Sequence, residues 1–371
     1  MASTINSTGT SSGIVSTADA SGVLNLQGGG NTGVSISATG VPTITTPAAL
    51  NNSTGVASTA YVDRAAGFAL PGGRLTLTTA TPVLTANVLA AGTVYYTPYT
   101  NGYVPIYNGT SYLSTAFSEL SNVLANSAVG NAGPAAATTN SNYDLFVWSN
   151  SGVVTLTRGP AWTSDTARGT GAGTTQISAV AGVWTNTVAI TNGPGAGLGT
   201  YVGTIRTNGT STVDWNPTPA AAAGGGNAWL GVWNAYNRVR SVSRSLDNTA
   251  SWTYSTVTWR AADNSNSNRI SYIDGLGNSA VDTTYSVNAG GNVSSSGTIG
   301  VNRDSTSATP ERTASSSGAG SSQSTIAVQP FQPSIGFHYL QAMEWNNSST
   351  ATFYSTWISN PACALTAALE M

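Results

Sequence analysis

Between Ile335 and Trp345 the chain alternates with a period of two. Ile335, Phe337, Tyr339, Gln341, Met343 and Trp345 fall on one side, and Gly336, His338, Leu340, Ala342 and Glu344 on the other. Successive side chains of an extended backbone point to opposite faces, so this period belongs to a β-strand. Val281, Thr283, Tyr285 and Val287 alternate in the same way with Asp282, Thr284, Ser286 and Asn288. So do Ala351, Phe353, Ser355 and Trp357 with Thr352, Tyr354, Thr356 and Ile358. Several such strands with turn signals between them predict a sandwich or jelly roll over residues 196–371. Helix formers are scarce, with Lys absent and Glu rare, while Thr, Val, Tyr and Trp are plentiful. An all-β chain follows.

Charge sets the next limit. Charged residues make up 7% of the sequence, against about a quarter in ordinary globular domains. All twelve basic residues are Arg, and the net charge of −2 gives no electrostatic footprint for nucleic acid or an anionic membrane. Solubility therefore rests on hydroxyls and amides. An apolar content of 40%, with ten Trp and fifteen Tyr, is enough for real cores. The single cysteine, Cys363, forbids an internal disulfide framework, so stability must come from packing or assembly. The start lacks the basic and apolar regions of an export signal. No window approaches eighteen consecutive apolar residues, so membrane insertion is not expected.

Three regions are expected. Residues 1–66 read as an extended arm of Ser, Thr, Gly and Ala with apolar islands at Val23, Leu24, Leu26, Val34 and Ile36. Such a segment buries too little surface to order alone, so it should order against identical neighbours or a docking site. Residues 67–195 read as a small β domain rich in hairpins. Asn101-Gly102, Asn108-Gly109 and Ser149–Gly152 supply its turns, and a short helix is predicted near Ser118–Ala125. Residues 196–371 form the C-terminal sandwich. Within it, 288–325 should hold weak strands such as Gly297–Val301 or an exposed tip, and Pro219–Gly226 reads as a disordered turn.

Catalytic chemistry has few residues to draw on. The one histidine, His338, has its nearest downstream carboxylate at Glu344, about 20 Å away along a strand, so no triad forms between them. An outward or interfacial His satisfied by hydroxyls is the plainer expectation, with a meeting of three His338 on a threefold axis as the alternative. One His and one Cys cannot build a zinc site. Asp263, Asp274 and Asp282 cluster in sequence, but turn chemistry explains Asp263 and Asp274 better than a glycosidase pair does. The run from Asp263 to Asn268 lacks the central Gly and terminal Glu of a calcium loop. No catalytic residue, metal or cofactor is assigned. A binding site has more substance. Trp215, Trp229, Trp233, Tyr236, Trp252, Tyr254 and Trp259 lie close to Arg238, Arg240, Arg244 and Arg260. Aromatic planes stack on sugar rings and Arg bonds hydroxyls or carboxylates, although buried packing explains the Trp residues better. Tyr236, Arg238, Arg240 and Arg260 are the candidate contact residues, the first three sharing one face if their strand is regular.

Three parts of the sequence resemble a known family. Thr46-Pro47 followed by Leu50 through Asp63, with its core Asn52-Ser53-Thr54-Gly55-Val56-Ala57-Ser58-Thr59-Ala60-Tyr61-Val62, resembles an element of tail-fibre proteins of tailed bacteriophages. Ala18 through Gln27 is similar to another recurrent phage-virion phrase. Leu230–Val239, with Gly336–His338 and Ala342–Glu344, resembles C-terminal domains of phage structural proteins. The resemblance implies a non-enzymatic virion protein, a short fibre or spike forming a homotrimer. In that arrangement the arm docks to other virion proteins and a distal sandwich meets host-surface glycan. A decoration protein of the capsid or tail is the alternative, and an extracellular glycan-binding module the third reading.

Overall fold

The computed structural model describes residues 24–28, 31–37, 39, 42–44, 70–125, 135–291, 296–316, 322–347, 349–357, 360–361 and 363–371. The protein is all-β. Among the described residues one 3-10 turn, Ala262–Asn264, is the sole helical element, and no helix is long and apolar enough to cross a membrane. The chain divides into two units, Met1–Phe68 and Ala69–Met371.

The first unit contains a three-stranded antiparallel meander of β1 (Leu24–Gly28), β2 (Asn31–Ile36) and β3 (Pro42–Ile44). Leu24 lies opposite Ile36, Leu26 opposite Val34, and Val34 opposite Ile44. The arm thus pairs with itself here, where an extended segment awaiting neighbours was expected, and Val34 and Ile36 are half-buried. Val23 and the fibre-like phrase at 46–63 lie outside the described residues.

In the second unit, β4 (Gly73–Thr76), β6 (Thr93–Pro98) and β9 (Leu120–Val123) form a small sheet. β9 takes the place of the helix expected at 118–125. Pairing with β6 satisfies its backbone, and Asn122, not an apolar stripe, is its buried residue. β7 (Tyr103–Tyr107) and β8 (Tyr112–Ala116) make a hairpin across Asn108–Ser111. Asn101-Gly102 joins no hairpin, because β6 pairs with β4 and β9 and not with β7.

A six-stranded sheet combines β10 (Asn142–Asn150), β11 (Val153–Ala161), β12 (Ile177–Val180), β13 (Val183–Asn186), β14 (Thr200–Arg206) and β17 (Val232–Asn234). The predicted β10–β11 hairpin is present, with Trp148 opposite Thr155. β14 sits between β10 and β13, so this sheet runs across residue 195, and the expected domain boundary there does not separate two compact units. Inside it, Asp144 receives Arg168 Nε at 2.6 Å and the Thr204 hydroxyl at 2.7 Å, a buried charge matched by its partners.

Two further sheets face each other as a sandwich. The first has eight strands: β5 (Val88–Ala91), β15 (Val213–Asn216), β16 (Ala228–Leu230), β20 (Arg260–Ala261), β21 (Arg269–Asp274), β23 (Gly297–Arg303), β24 (Thr313–Ser315) and β26 (Gly336–Asn346). The second has six: β18 (Arg240–Leu246), β19 (Ser251–Tyr254), β22 (Val281–Gly291), β25 (Gln323–Phe331), β27 (Ala351–Tyr354) and β30 (Ala364–Glu370). A two-residue pair, β28 (Thr356–Trp357) with β29 (Asn360–Pro361), lies beside it in sequence. Ile270, Tyr272, Ile299, Val301, Leu340 and Ala342 bury one side of the sandwich core, and Val281, Tyr285, Val287, Phe353, Leu365 and Ala367 the other. Trp252 Nε1 donates to Glu344 Oε2 at 2.6 Å, which fixes β19 to β26.

The Pro219–Gly226 segment is an ordered turn and not a disordered one. Gly224 N–H donates to the buried Asp247 Oδ1 at 3.0 Å. Gly225 has φ +92°, and a Cβ there would meet Asn268 Cα at 2.5 Å, so the close approach requires glycine. The Ser- and Gly-rich stretch at 288–325 contains β23 and β24, in line with the expectation of strands there.

Candidate glycan-contact face

The alternation in β26 decides what the eight-stranded sheet presents on its outer side. His338, Leu340, Ala342 and Glu344 turn into the sandwich and are buried, whereas Phe337, Tyr339 and Trp345 are half-exposed. In register across three strands, Trp229 of β16 lies beside Ser271 of β21, and Ser271 beside Tyr339 of β26. Trp229 and Phe337 have ring centroids 5.2 Å apart. The Arg269 guanidinium lies 4.1 Å over the Tyr339 ring, and burial pulls its pKa below the ordinary value while Tyr339 opposes the shift. Ser271 Oγ donates to Asn227 Oδ1 at 3.4 Å beside them.

Six residues further along β26, about 20 Å at strand rise, Trp345 stacks with Trp259 at 6.3 Å between centroids and 29° between planes. Between the two groups the face is closed. Gln341 and Met343 are buried, and Pro310 lies against Gly300 so closely that a Cβ there would meet its Cγ at 2.6 Å. The outer face therefore carries two aromatic stations, one of Trp229, Tyr339 and Arg269 beside a Phe337 ring that the Arg206 guanidinium covers at 4.2 Å, the other of Trp259 and Trp345. Half-exposed rings beside fixed Arg, amide and hydroxyl groups suit a ligand with apolar C–H faces and hydroxyl edges.

The four contact residues expected from sequence do not form a site. β17 ends at Asn234 and β18 starts at Arg240; the turn between them holds Asn237 at φ +55°, so no regular strand aligns Tyr236, Arg238 and Arg240. Tyr236 is half-buried against the core, and its oxygen accepts the Trp184 backbone N–H at 3.2 Å; burial pushes its pKa up. Arg238 Nη1 donates to Asn278 Oδ1 at 2.7 Å and Ser279 Oγ at 2.6 Å, with the guanidinium 5.3 Å over Trp233. Arg240 is exposed, 3.8 Å from an equally exposed Asp282. Arg260 Nε donates to Glu344 Oε1 at 2.6 Å and lies 3.9 Å over Tyr254. It serves the fold, and burial raises Glu344 to about 7 against the bonds from Trp252 and Arg260. Trp215, Trp233 and Trp252 are core, as packing predicts, while Trp229 and Trp259 reach the surface. Arg269, Tyr339 and Trp345 escaped the sequence reading. The odd side of the 335–345 alternation, with Phe337, Tyr339 and Trp345 beside Gln341, was the signal that could have found Tyr339 and Trp345.

His338 also differs from expectation. It is buried, its Nδ1 lies 2.6 Å from Asp304 Oδ2, and its Nε2 lies 3.2 Å from the Ile335 carbonyl. A carboxylate 34 residues upstream, brought in by the β23–β26 pairing, supplies its partner in place of hydroxyls. Both ring nitrogens are engaged by oxygens of the fold itself. Among the described residues no three His, Cys, Asp or Glu side chains gather as a metal site.

The chain matches no protein-family model and no curated protein.

Proposed function

We propose that this chain is a structural subunit of a bacteriophage particle, a short fibre or spike, and that its sandwich contacts host-surface glycan through the outer face of the eight-stranded sheet. The observation that carries the contact is the pair of half-exposed aromatic stations, with Arg269 fixed over Tyr339. Binding without turnover fits a histidine whose two nitrogens are engaged. The virion role is supported by the fibre-like phrase at 46–63 and by a surface chemistry of hydroxyls and amides with 7% charge. In this reading the N-terminal segment, with Val23, Leu24, Leu26, Val34 and Ile36, docks to other virion proteins. The assembly is a homotrimer without cofactor, metal, nucleic-acid or membrane partner. A decoration subunit that binds no receptor is the second reading, favoured by the single occurrence of the fibre-like phrase.

Gold-labelled antibody against the sandwich, applied to particles purified from a lysate, tests the virion role. Labelled projections on the particle surface are expected. Recovery of the chain only as free protein would contradict it.

A further inference from the structure

The outer face of the C-terminal six-stranded sheet is the opposite side of the sandwich from the aromatic stations, and its chemistry differs. Val242 on β18 lies beside Ala368 on β30, Ala368 beside Asp282 on β22, and Asp282 beside Pro330 on β25. The next rows run Arg244, Thr366, Thr284, Val328 and then Leu246, Ala364, Ser286, Ile326. Val242, Ile326 and Val328 are 58%, 54% and 55% exposed. The middle of the face is thus small and flat, and its two margins carry aliphatic side chains.

We infer that a second copy of this chain seats on this face. Ala364, Thr366, Ala368, Thr284 and Ser286 leave a shallow centre that lets another sheet approach to about the 10 Å of packed sheets. The charges on the face, Arg240 and Arg244 against Asp282 and Glu370, balance within it. A balanced face is complementary to a copy of itself and gives no attraction to a partner of single sign. β25 stands at the edge of the sheet and carries no charged residue over nine positions. Edges of this kind are normally blunted by charge or covered. The field is also large enough. Eleven residues of β22 by four strands is roughly 37 by 19 Å, on the order of 700 Å² per copy, close to the ~800 Å² per partner of a stable interface. The contact pairs this face with the same face of a second copy, a twofold arrangement distinct from any threefold contact, so the inference does not depend on the glycan, virion or trimer reading.

Light scattering of the full chain with Ile326→Arg plus Val328→Arg tests it. Wild type is expected as an oligomer at micromolar concentration, and the double variant should weaken self-association by about 100-fold or more, because it places charge in a desolvated contact. Ala368→Trp, which adds bulk at a half-exposed outward position in the centre, should act in the same direction. Val153→Arg, at the exposed tip of the β10–β11 hairpin, and Tyr339→Ala, on the opposite face, should leave the oligomer intact. Unchanged circular dichroism and melting temperature separate a broken contact from a broken fold. A wild-type monomer of 37.5 kDa, or an assembly whose mass is the same in wild type and both face variants, would overturn the inference.

Discussion

Arg269 and Tyr339, on neighbouring antiparallel strands, form a stacked pair with the guanidinium 4.1 Å over the ring. Arg269 Nε and Nη2 both donate to the buried Gln341 Oε1, at 3.2 and 3.0 Å. The cation is therefore held by an amide below and an aromatic plane beside it, and among the described residues no carboxylate pairs with it. Such a group keeps its capacity to bond an incoming hydroxyl or carboxylate.

Replacing Arg269 by Ala should cost stability about 1–2 kcal/mol, the scale of one cation–π contact together with the bonds to Gln341. It should nevertheless lower glycan binding several-fold. Urea denaturation and a binding isotherm on the same preparation check both halves.

Core and surface aromatics should behave oppositely. Trp233 is 1% exposed, and Trp233→Ala should lose about 3–5 kcal/mol. Trp345→Ala, at a half-exposed position on the outer face, should lose much less and should impair binding. Equal losses in denaturation midpoint would show that Trp345 is core.

The two arginines just before and at the start of β18 should separate as well. Arg238→Ala removes two hydrogen bonds and a contact with Trp233, and should cost about 1–2 kcal/mol. Arg240→Ala breaks only an exposed pair and should cost about 0–1 kcal/mol. Thermal melts of the two single variants check the order.

Glu344 gives the fold a pH dependence. Burial raises its carboxyl from 4.5 to about 7, so between these values the folded chain holds a proton that the unfolded chain has released. Stability from this group is full at lower pH and falls as pH rises toward 7, by up to roughly 3 kcal/mol. Asp247 and Asp274, also raised by burial, act in the same direction. Denaturation at pH 5 and 7.5 should show wild type losing stability with rising pH and Glu344→Gln losing less. Equal slopes would remove Glu344 from the account.

Strand alternation and turn chemistry made much of the fold legible. The buried sides of β22 and β27 and the β10–β11 hairpin follow from residues a few positions apart. What lay hidden depends on long-range pairing. Strand β9 replaces a helix because β6 offers it a ladder, and His338 finds Asp304 only through the pairing of β23 with β26. Three of the four expected contact residues failed for a related reason: a positive-φ turn at Asn237 breaks the strand that Tyr236, Arg238 and Arg240 were assumed to share, while Arg260 is taken up by Glu344. The aromatic stations were written into the odd positions of 335–345. Telling an outward aromatic from a core one, however, requires knowing which side faces the second sheet.

Glycan contact through the outer face of the eight-stranded sheet is open to direct test. The most direct measurement is binding of the purified full chain to immobilised bacterial surface polysaccharides, comparing wild type with Arg269→Ala, Tyr339→Ala and Trp345→Ala. The account predicts saturable wild-type binding to at least one polysaccharide. It also predicts at least a tenfold loss when the three changes are combined, about 1.4 kcal/mol, with the fold intact by circular dichroism. Wild-type binding that survives the triple variant unchanged, or no binding to any polysaccharide, would contradict it.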